Sequence, residues 1–279
     1  MSIDNGDYQG FDTVLDQAGV LTITFNRPEA MNAATVGMKR DLVEVLTQCQ
    51  MDDEVRVVVF TGTGRAFWAG DDLKGYEEAM ASHTPPIFGG HHNALGTYNG
   101  LRTISQAVNT AVRNLDKLTV AAVNGFAIQT GFSLALACDF RIAARSARMG
   151  SATLRFGLLP DEGGQWLLVQ HLGVARTMDF LMRKRIVDGD TAHEMGLVHE
   201  VVDDERLAEA AAELARELAE GPQAAMRMLK RSIQLAASLT WEQSLDEIAA
   251  KTAVTDHHPD AKEGVAAFLA KRQPTFNQR

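Results

Sequence analysis

Cysteine is nearly absent from this chain: only Cys49 and Cys138 occur in 279 residues, too few for a disulfide framework. Cys138 closes the apolar run Leu134-Ala-Leu-Ala-Cys138 and reads as a small core residue. No apolar run approaches the roughly twenty residues that cross a membrane, and no short apolar segment marks a secretion signal. The expectation is a protein of a soluble, reducing compartment, the cytoplasm. Basic residues are outnumbered, 27 against 36 acidic ones, for a net charge of −9. That balance argues against nucleic acid or an anionic membrane surface as the main partner, and leaves any phosphate-bearing ligand to local Lys or Arg. Metal-ligand spacing is also missing: His91-His92 and His257-His258 are adjacent pairs whose side chains diverge on regular backbone, so no metal is expected. No break in composition divides the chain, and 46% hydrophobic residues suffice for a sizeable core.

The richest stretch is Val120 to Gly164. The apolar run Val120-Ala-Ala-Val123 ends in Asn124-Gly125 and passes Thr130-Gly131 into Leu134, Leu136 and Ala137, which reads as strand, turn and helix start. Such a helix start aims free N–H groups, aided by the helix dipole, at an anion or an oxygen that becomes one. A second turn of this kind follows the strand-like Val55 to Phe60, in Phe67-Trp-Ala-Gly-Asp-Asp-Leu73. Either turn alone is an ordinary strand end. Two together have the makings of an oxyanion hole.

Around these turns the pattern alternates strands and helices, the rhythm of an α/β domain with crossovers. Phe11 to Leu15 and Val20 to Phe25 read as a hairpin, and Thr35 to Cys49 as a helix with Thr35 as N-cap. Glu77 to Gly100, with Pro85-Pro86 and Gly89-Gly90, reads as a surface segment, and Leu101 to Leu118 as helical. Beyond Gly164 the spacing predicts helices over 166–172, 175–182, 190–195, 206–220, 223–237 and 241–255, with a short strand at 198–202.

At Leu21-Thr-Ile-Thr-Phe-Asn-Arg-Pro28, Asn32, Phe67 to Leu73, Ala122-Val-Asn-Gly125, Ala137-Cys-Asp139 and Glu263 to Arg272 the chain resembles the enoyl-CoA hydratase/isomerase, or crotonase, superfamily. The resemblance implies a crotonase (ClpP-like) spiral of ββα units over residues 1–200 and a C-terminal helical region over 201–279 that packs subunits into trimers, often paired into hexamers. It implies an acyl-CoA thioester as substrate, with coenzyme A as part of that substrate and no separate cofactor. By position, the backbone N–H groups of Asp71 and Thr130 would hold the thioester oxygen. Glu29, Ala30, Met31 and Ala69 would give backbone contacts to CoA. Arg27, Lys74 and, from a neighbouring subunit, Phe268 and Lys271 would meet its nucleotide and phosphates, although solvated charges and a core Phe are equally good readings of these four. Asp72, Leu73, Ile128, Thr153 and Pro160 fall at further substrate-contact positions.

The resemblance also says which chemistry has been lost. The two glutamates of the hydratases would fall at Ser133 and Thr153, and neither side chain is a carboxylate base. Asp161 stands where the peroxisomal-type enoyl-CoA isomerases, the dienoyl-CoA isomerases and the ring-epoxide isomerases carry their carboxylate. A single base there would shift a double bond through an enolate, if Leu158, Leu159 and nearby aromatics keep it dry. Glu162 is the adjacent competitor, and Pro160-Asp-Glu-Gly-Gly164 is also ordinary turn chemistry. Asp72 and Asp139 are expected to support turns. A hydratase or hydrolase using Asp161 and a non-catalytic acyl-CoA binder remain open alternatives. Ser133 lacks the Gly-x-Ser-x-Gly surround of a nucleophile. Trp68, Phe126, Phe132 and Trp166 line either an apolar pocket or the core.

Overall fold

The computed structural model describes residue 3, residues 6–72 and residues 93–278; Leu73 and Lys74, and the Pro, Gly and His pairs between 85 and 92, lie outside the described residues. Among the described residues the strands form two sheets. The larger has the order β1 (Phe11–Leu15), β2 (Val20–Phe25), β3 (Val57–Gly62), β5 (Leu118–Val123), β7 (Phe140–Ala144) and β10 (Glu200–Val202). The expected hairpin is its antiparallel edge, with Phe11 opposite Phe25, and every later pairing in it is parallel. The smaller sheet orders β4 (Ala66–Trp68), β6 (Phe126–Ile128), β8 (Arg148–Gly150) and β9 (Ile186–Asp188).

Three times the chain leaves a strand of the large sheet, turns into one of the small sheet and enters helical structure: β3 to β4, β5 to β6, β7 to β8. These are the ββα units that the resemblance implies. Val57 to Phe60 and Val120 to Val123 are buried without alternation, as parallel strands covered on both faces must be. Each small-sheet strand ends beside the next unit, which places the turns after β4 and β6 side by side.

Helix α1 (Val36–Met51) begins as expected, with the Thr35 hydroxyl accepting from Met38 N at 3.1 Å. The surface segment and the following helix need correction. Helix α2 (Ala94–Gly100) already starts behind Asn93, whose side chain accepts from Gly96 N, and leads through a π turn at Leu101–Ser105 into α3 (Gln106–Asn114). The helix stops at Asn114 rather than Leu118 because Leu115 turns extended.

Helices α4 (Thr130–Ala137) and α5 (Gly164–Met182) follow β6 and β8, and Gly173, at φ 72, breaks α5 where two helices are expected. After α6 (Gly189–Glu194) and β10, helix α7 (Leu207–Glu220) buries Leu207, Ala210, Ala211, Ala215 and Leu218 against strands of the large sheet. Helices α8 (Gln223–Ala236) and α9 (Trp241–Asp256) are joined by a further helix, α10 (Pro259–Leu269), that the apolar spacing did not predict. Pro259 at its first turn and the His258 cap start it. Leu229, Ile233, Trp241, Leu245, Val254, Val265, Phe268 and Leu269 on these three helices are exposed. Among the described residues no helix is long and apolar enough to cross a membrane.

Candidate active site

The turn after β4 is fixed by its neighbours on the 27–34 loop. Ala69 N donates to Met31 O, Ala34 N to Gly70 O and Asp72 N to Ala34 O, at 2.9 to 3.1 Å. In this short parallel ladder Gly70 O and Asp72 N face Ala34, so the N–H of Asp71 faces the other way. It has no acceptor among the described residues. Gly70 adopts φ +100, a left-handed value suited to glycine, and its carbonyl also accepts from the Trp68 indole at 2.9 Å.

Opposite lies the start of α4. Gln129 N donates to Gly150 O at 3.0 Å while its own backbone sits at φ 54, ψ −114, outside the comfortable regions for a residue with a side chain. Thr130 N, first in the helix, likewise has no acceptor among the described residues. The two turns meet: Thr130 Oγ1 donates to Asp71 Oδ1 at 3.0 Å, and a Cβ placed on Gly131 would stand 2.0 Å from Trp68 O. The two N–H groups that the resemblance implies, those of Asp71 and Thr130, thus lie on adjoining turns, with no acceptor for either among the described residues.

Lys39 was missed by sequence reasoning. Its side chain is 5% exposed and pairs with Asp71 Oδ2 at 2.7 Å, donating also to Ser105 Oγ at 3.0 Å. The signal was present, since Lys39 stands three residues before Leu42 on the apolar stripe of α1.

The CoA-side candidates cluster nearby. Glu29 and Ala30 form a 3-10 turn, followed by Met31 and Asn32, both with left-handed φ. Asn32 is fully buried and knits the loop to β4, accepting from Arg27 N and donating to Ala66 O at 2.7 Å. Arg27 itself is engaged within the chain, with Asp72 Oδ2 at 2.9 Å and the Ala33 carbonyl. Ile128 ends β6 beside the N–H pair, and Ala69 lies between the loop and the turn. Phe268 is 82% exposed at the end of α10, and Lys271 follows it on the surface at φ 51. Asp139 supports its turn as expected, accepting from Thr119 N, Thr119 Oγ1 and Lys230 Nζ. Trp68 and Phe132 are core, whereas Trp166 is 46% exposed under the Arg113 guanidinium.

The carboxyl segment follows a 3-10 turn at Thr153–Phe156 and runs from Gly157 to Gly163, both with positive φ. Pro160 is buried and Asp161 is exposed. Among the described residues Leu158 and Leu159 do not give Asp161 the dryness expected of them, being 54% and 67% exposed. The dry carboxyl is Glu162, 2% exposed. Its Oε1 lies 2.6 Å from Ser133 Oγ and its Oε2 accepts from Gln129 Nε2 at 2.8 Å. Gln129 Oε1 accepts from Ser151 Oγ at 3.0 Å, and Ser151 contacts Thr153 Oγ1 at 3.1 Å. Ser133 and Thr153 are therefore the two ends of one hydrogen-bonded chain with Glu162 and Gln129 at its middle. Burial pushes the Glu162 carboxyl up to about 7, and the neighbouring Asp161 charge and side-chain hydrogen bond add to the rise against the opposing Ser133 bond. From α3, Gln106 Nε2 and Asn109 Nδ2 donate to the backbone oxygens of Asp161 and Glu162.

Residues 16–279 match the family model described as Enoyl-CoA hydratase/isomerase. The chain is 38% identical over 263 residues to the 1,2-epoxyphenylacetyl-CoA isomerase of Escherichia coli K12, covering 93% of this chain and 95% of that one. It is 34% identical to the carnitinyl-CoA dehydratase of Citrobacter koseri, over 93% and 95% of the two chains. The crystal structure of an enoyl-CoA hydratase from Bacillus anthracis superimposes with a TM-score of 0.87 at 30% identity, over 96% of this chain and 99% of that one.

Proposed function

The chain belongs to the enoyl-CoA hydratase/isomerase family, and on that premise we propose that it moves a double bond along an enoyl-CoA thioester, with Asp161 as the acid/base. The observation that carries this reading is the constellation itself: two N–H groups without an acceptor among the described residues stand on turns joined by the Thr130–Asp71 bond, the positions of both hydratase acids hold hydroxyls, and the exposed Asp161 is next in the chain to Glu162, which bonds to Gln129 and Ser133. The thioester oxygen accepts from Asp71 N–H and Thr130 N–H. The Asp161 carboxylate takes a proton from C2 of a 3-enoyl thioester, and the electron pair spreads onto the held oxygen as a dienolate. The proton on Asp161, which is exposed and exchanges with solvent, is replaced from water, and Asp161 delivers a proton to C4, leaving the double bond between C2 and C3. Each oxyanion donor is worth roughly 3 kcal/mol and the positioned carboxyl about 10²–10⁴-fold in rate.

One observation favours a second reading, addition of water: Glu162 Oε1, 2.6 Å from Ser133 Oγ, brings a carboxyl to a place where the hydratases carry one. The family's relatives carry both kinds of name. Incubation with trans-3-hexenoyl-CoA and trans-2-hexenoyl-CoA, with products resolved by mass spectrometry and NMR, separates the two. Migration of the double bond without gain of water supports isomerisation. A 3-hydroxyacyl product supports hydration, and binding without turnover leaves an acyl-CoA binder.

For the assembly the same reading takes a homotrimer or a pair of trimers. The exposed apolar residues of α8, α9 and α10 support it, since unpartnered faces of this size on a monomer call for a cover. Phe268 and Lys271 would then reach a neighbour's CoA. Sedimentation equilibrium tests this, and a monomer at micromolar concentration contradicts it.

A further inference from the structure

Glu162 has no part in the isomerisation as written, yet it is among the most buried acids of the described chain, with two short hydrogen bonds to the machinery. What packs around it decides its protonation. Ser133 and Gln129 face it from the start of α4, Asn109 and Gln106 from α3 hold the adjacent backbone, and the charge that acts on it is the negative one of Asp161. No cation faces it among the described residues. A dry carboxyl beside a carboxylate, with no cation, keeps its proton.

The hydrogen bonds fit that state. As placed, Ser133 Oγ donates to Oε1 and Gln129 Nε2 to Oε2; a carboxylic acid keeps the second bond and turns the first round, its proton passing from Oε1 to Ser133 Oγ across the same 2.6 Å. Space has been left for this pair, because a Cβ on Gly164 would stand 2.5 Å from Ser133 Oγ. On its other side Glu162 steadies a strained residue. Gln129, at φ 54 and ψ −114, is in a conformation that costs about 1–3 kcal/mol unless its surroundings over-determine it, and Thr130 N–H comes directly after it. The Gln129 side chain is pinned at both ends, by Ser151 and by Glu162.

We propose that Glu162 is a positioning residue, a neutral carboxylic acid that donates to Ser133, accepts from Gln129 and thereby fixes both the helix start presenting Thr130 N–H and the neighbouring Asp161. This rests on the isomerase reading above for the role of Asp161 and of Thr130 N–H. When Glu162 loses its proton, a second negative charge stands behind the base and next to a forming enolate, and the bond to Ser133 must reverse. Catalysis therefore weakens as Glu162 ionises.

The test has a part without substrate and a part with it. In the infrared difference spectrum of the unliganded full-length protein, wild type minus Glu162→Gln, a protonated carboxyl is expected at pH 6 and a carboxylate at pH 8.5; a carboxylate at pH 6 overturns the proposal. With trans-3-hexenoyl-CoA, the ratio of kcat/KM at pH 8.5 to that at pH 6 is expected to be about tenfold lower in wild type than in Glu162→Gln, since the amide keeps the hydrogen bonds and cannot ionise. Superimposable profiles overturn it. Glu162→Ala, which frees Gln129, is expected to lower kcat about tenfold or more at pH 6 with KM within about threefold, and a wild-type kcat overturns the proposal. Asp161→Asn reports separately: migration that survives it sinks the isomerase reading, while the infrared result still decides the proton on Glu162.

Discussion

Around Asp71 and Thr130 the backbone is fastened to other elements, to the 27–34 loop and to Gly150, and the two turns are joined by the Thr130 side chain, whereas Gly157 to Gly163, which carries both acids, is held by short-range turn bonds, by the Glu162 side chain and by two amide side chains of α3. A Cβ on Gly131 would strike a carbonyl at 2.0 Å, but one on Gly157 or Gly163 would meet nothing within 4 Å. The oxygen-holding half allows no displacement, because hydrogen bonds to a forming oxyanion weaken steeply with distance. The proton-moving half has open space beside Gly157 and Gly163. A scaffold of this kind keeps one kind of intermediate and alters what is done with it.

The comparison can be broken at its most chemical point. Asp161→Asn is expected to lower kcat about 10²–10⁴-fold with thioester affinity nearly intact, read by stopped assays and titration calorimetry. Gly131→Ala should destabilise by more than about 3 kcal/mol or prevent folding, because helix and strand backbones must separate. Gly163→Ala, strained only by its φ of +100, should cost about 1–2 kcal/mol. Denaturant melts of the two variants measure this contrast, and equal losses would erase the distinction between the halves. Lys39→Met leaves Asp71 without its buried cation and is expected to lower kcat about tenfold with a loss of about 1–3 kcal/mol in stability.

A further effect is one of pH. Folding raises the Glu162 carboxyl above its ordinary 4.5 to about 7, so the folded chain holds this proton more tightly than the unfolded one. The stabilisation is complete below about pH 4.5 and lost as pH rises through about 7, by no more than about 3 kcal/mol. Glu162→Gln should therefore flatten the fall in Tm between pH 5 and pH 8. An unchanged slope would mean that Glu162 is not the group responsible.

The tightly held half was legible in the sequence. The hairpin, the Thr35 cap, the buried β3 and β5 and the two glycine turns each follow from local pattern, and their order carried the family resemblance. The loosely held half was not. Asp161 and Glu162 are neighbours in an irregular turn where no periodicity says which side chain faces inward, so the dry pocket expected for Asp161 belongs to Glu162 instead. Lys39 was hidden because a single charge on an apolar stripe reads as snorkelling until its partner, far along the chain, is placed. Helix α10 was obscured by Pro259 and Gly264, though the proline begins it.

The account's central claim is that one carboxyl moves a proton on carbon next to a thioester whose oxygen is held by Asp71 and Thr130 N–H. The most direct measurement is exchange of that proton: trans-3-hexenoyl-CoA incubated with the protein in D2O, with deuterium followed at C2 and C4 by NMR. Deuterium entering both positions as the double bond moves, abolished in Asp161→Asn, is the expected result. A double bond that stays in place with no deuterium at C2, or exchange that persists in Asp161→Asn, would contradict it.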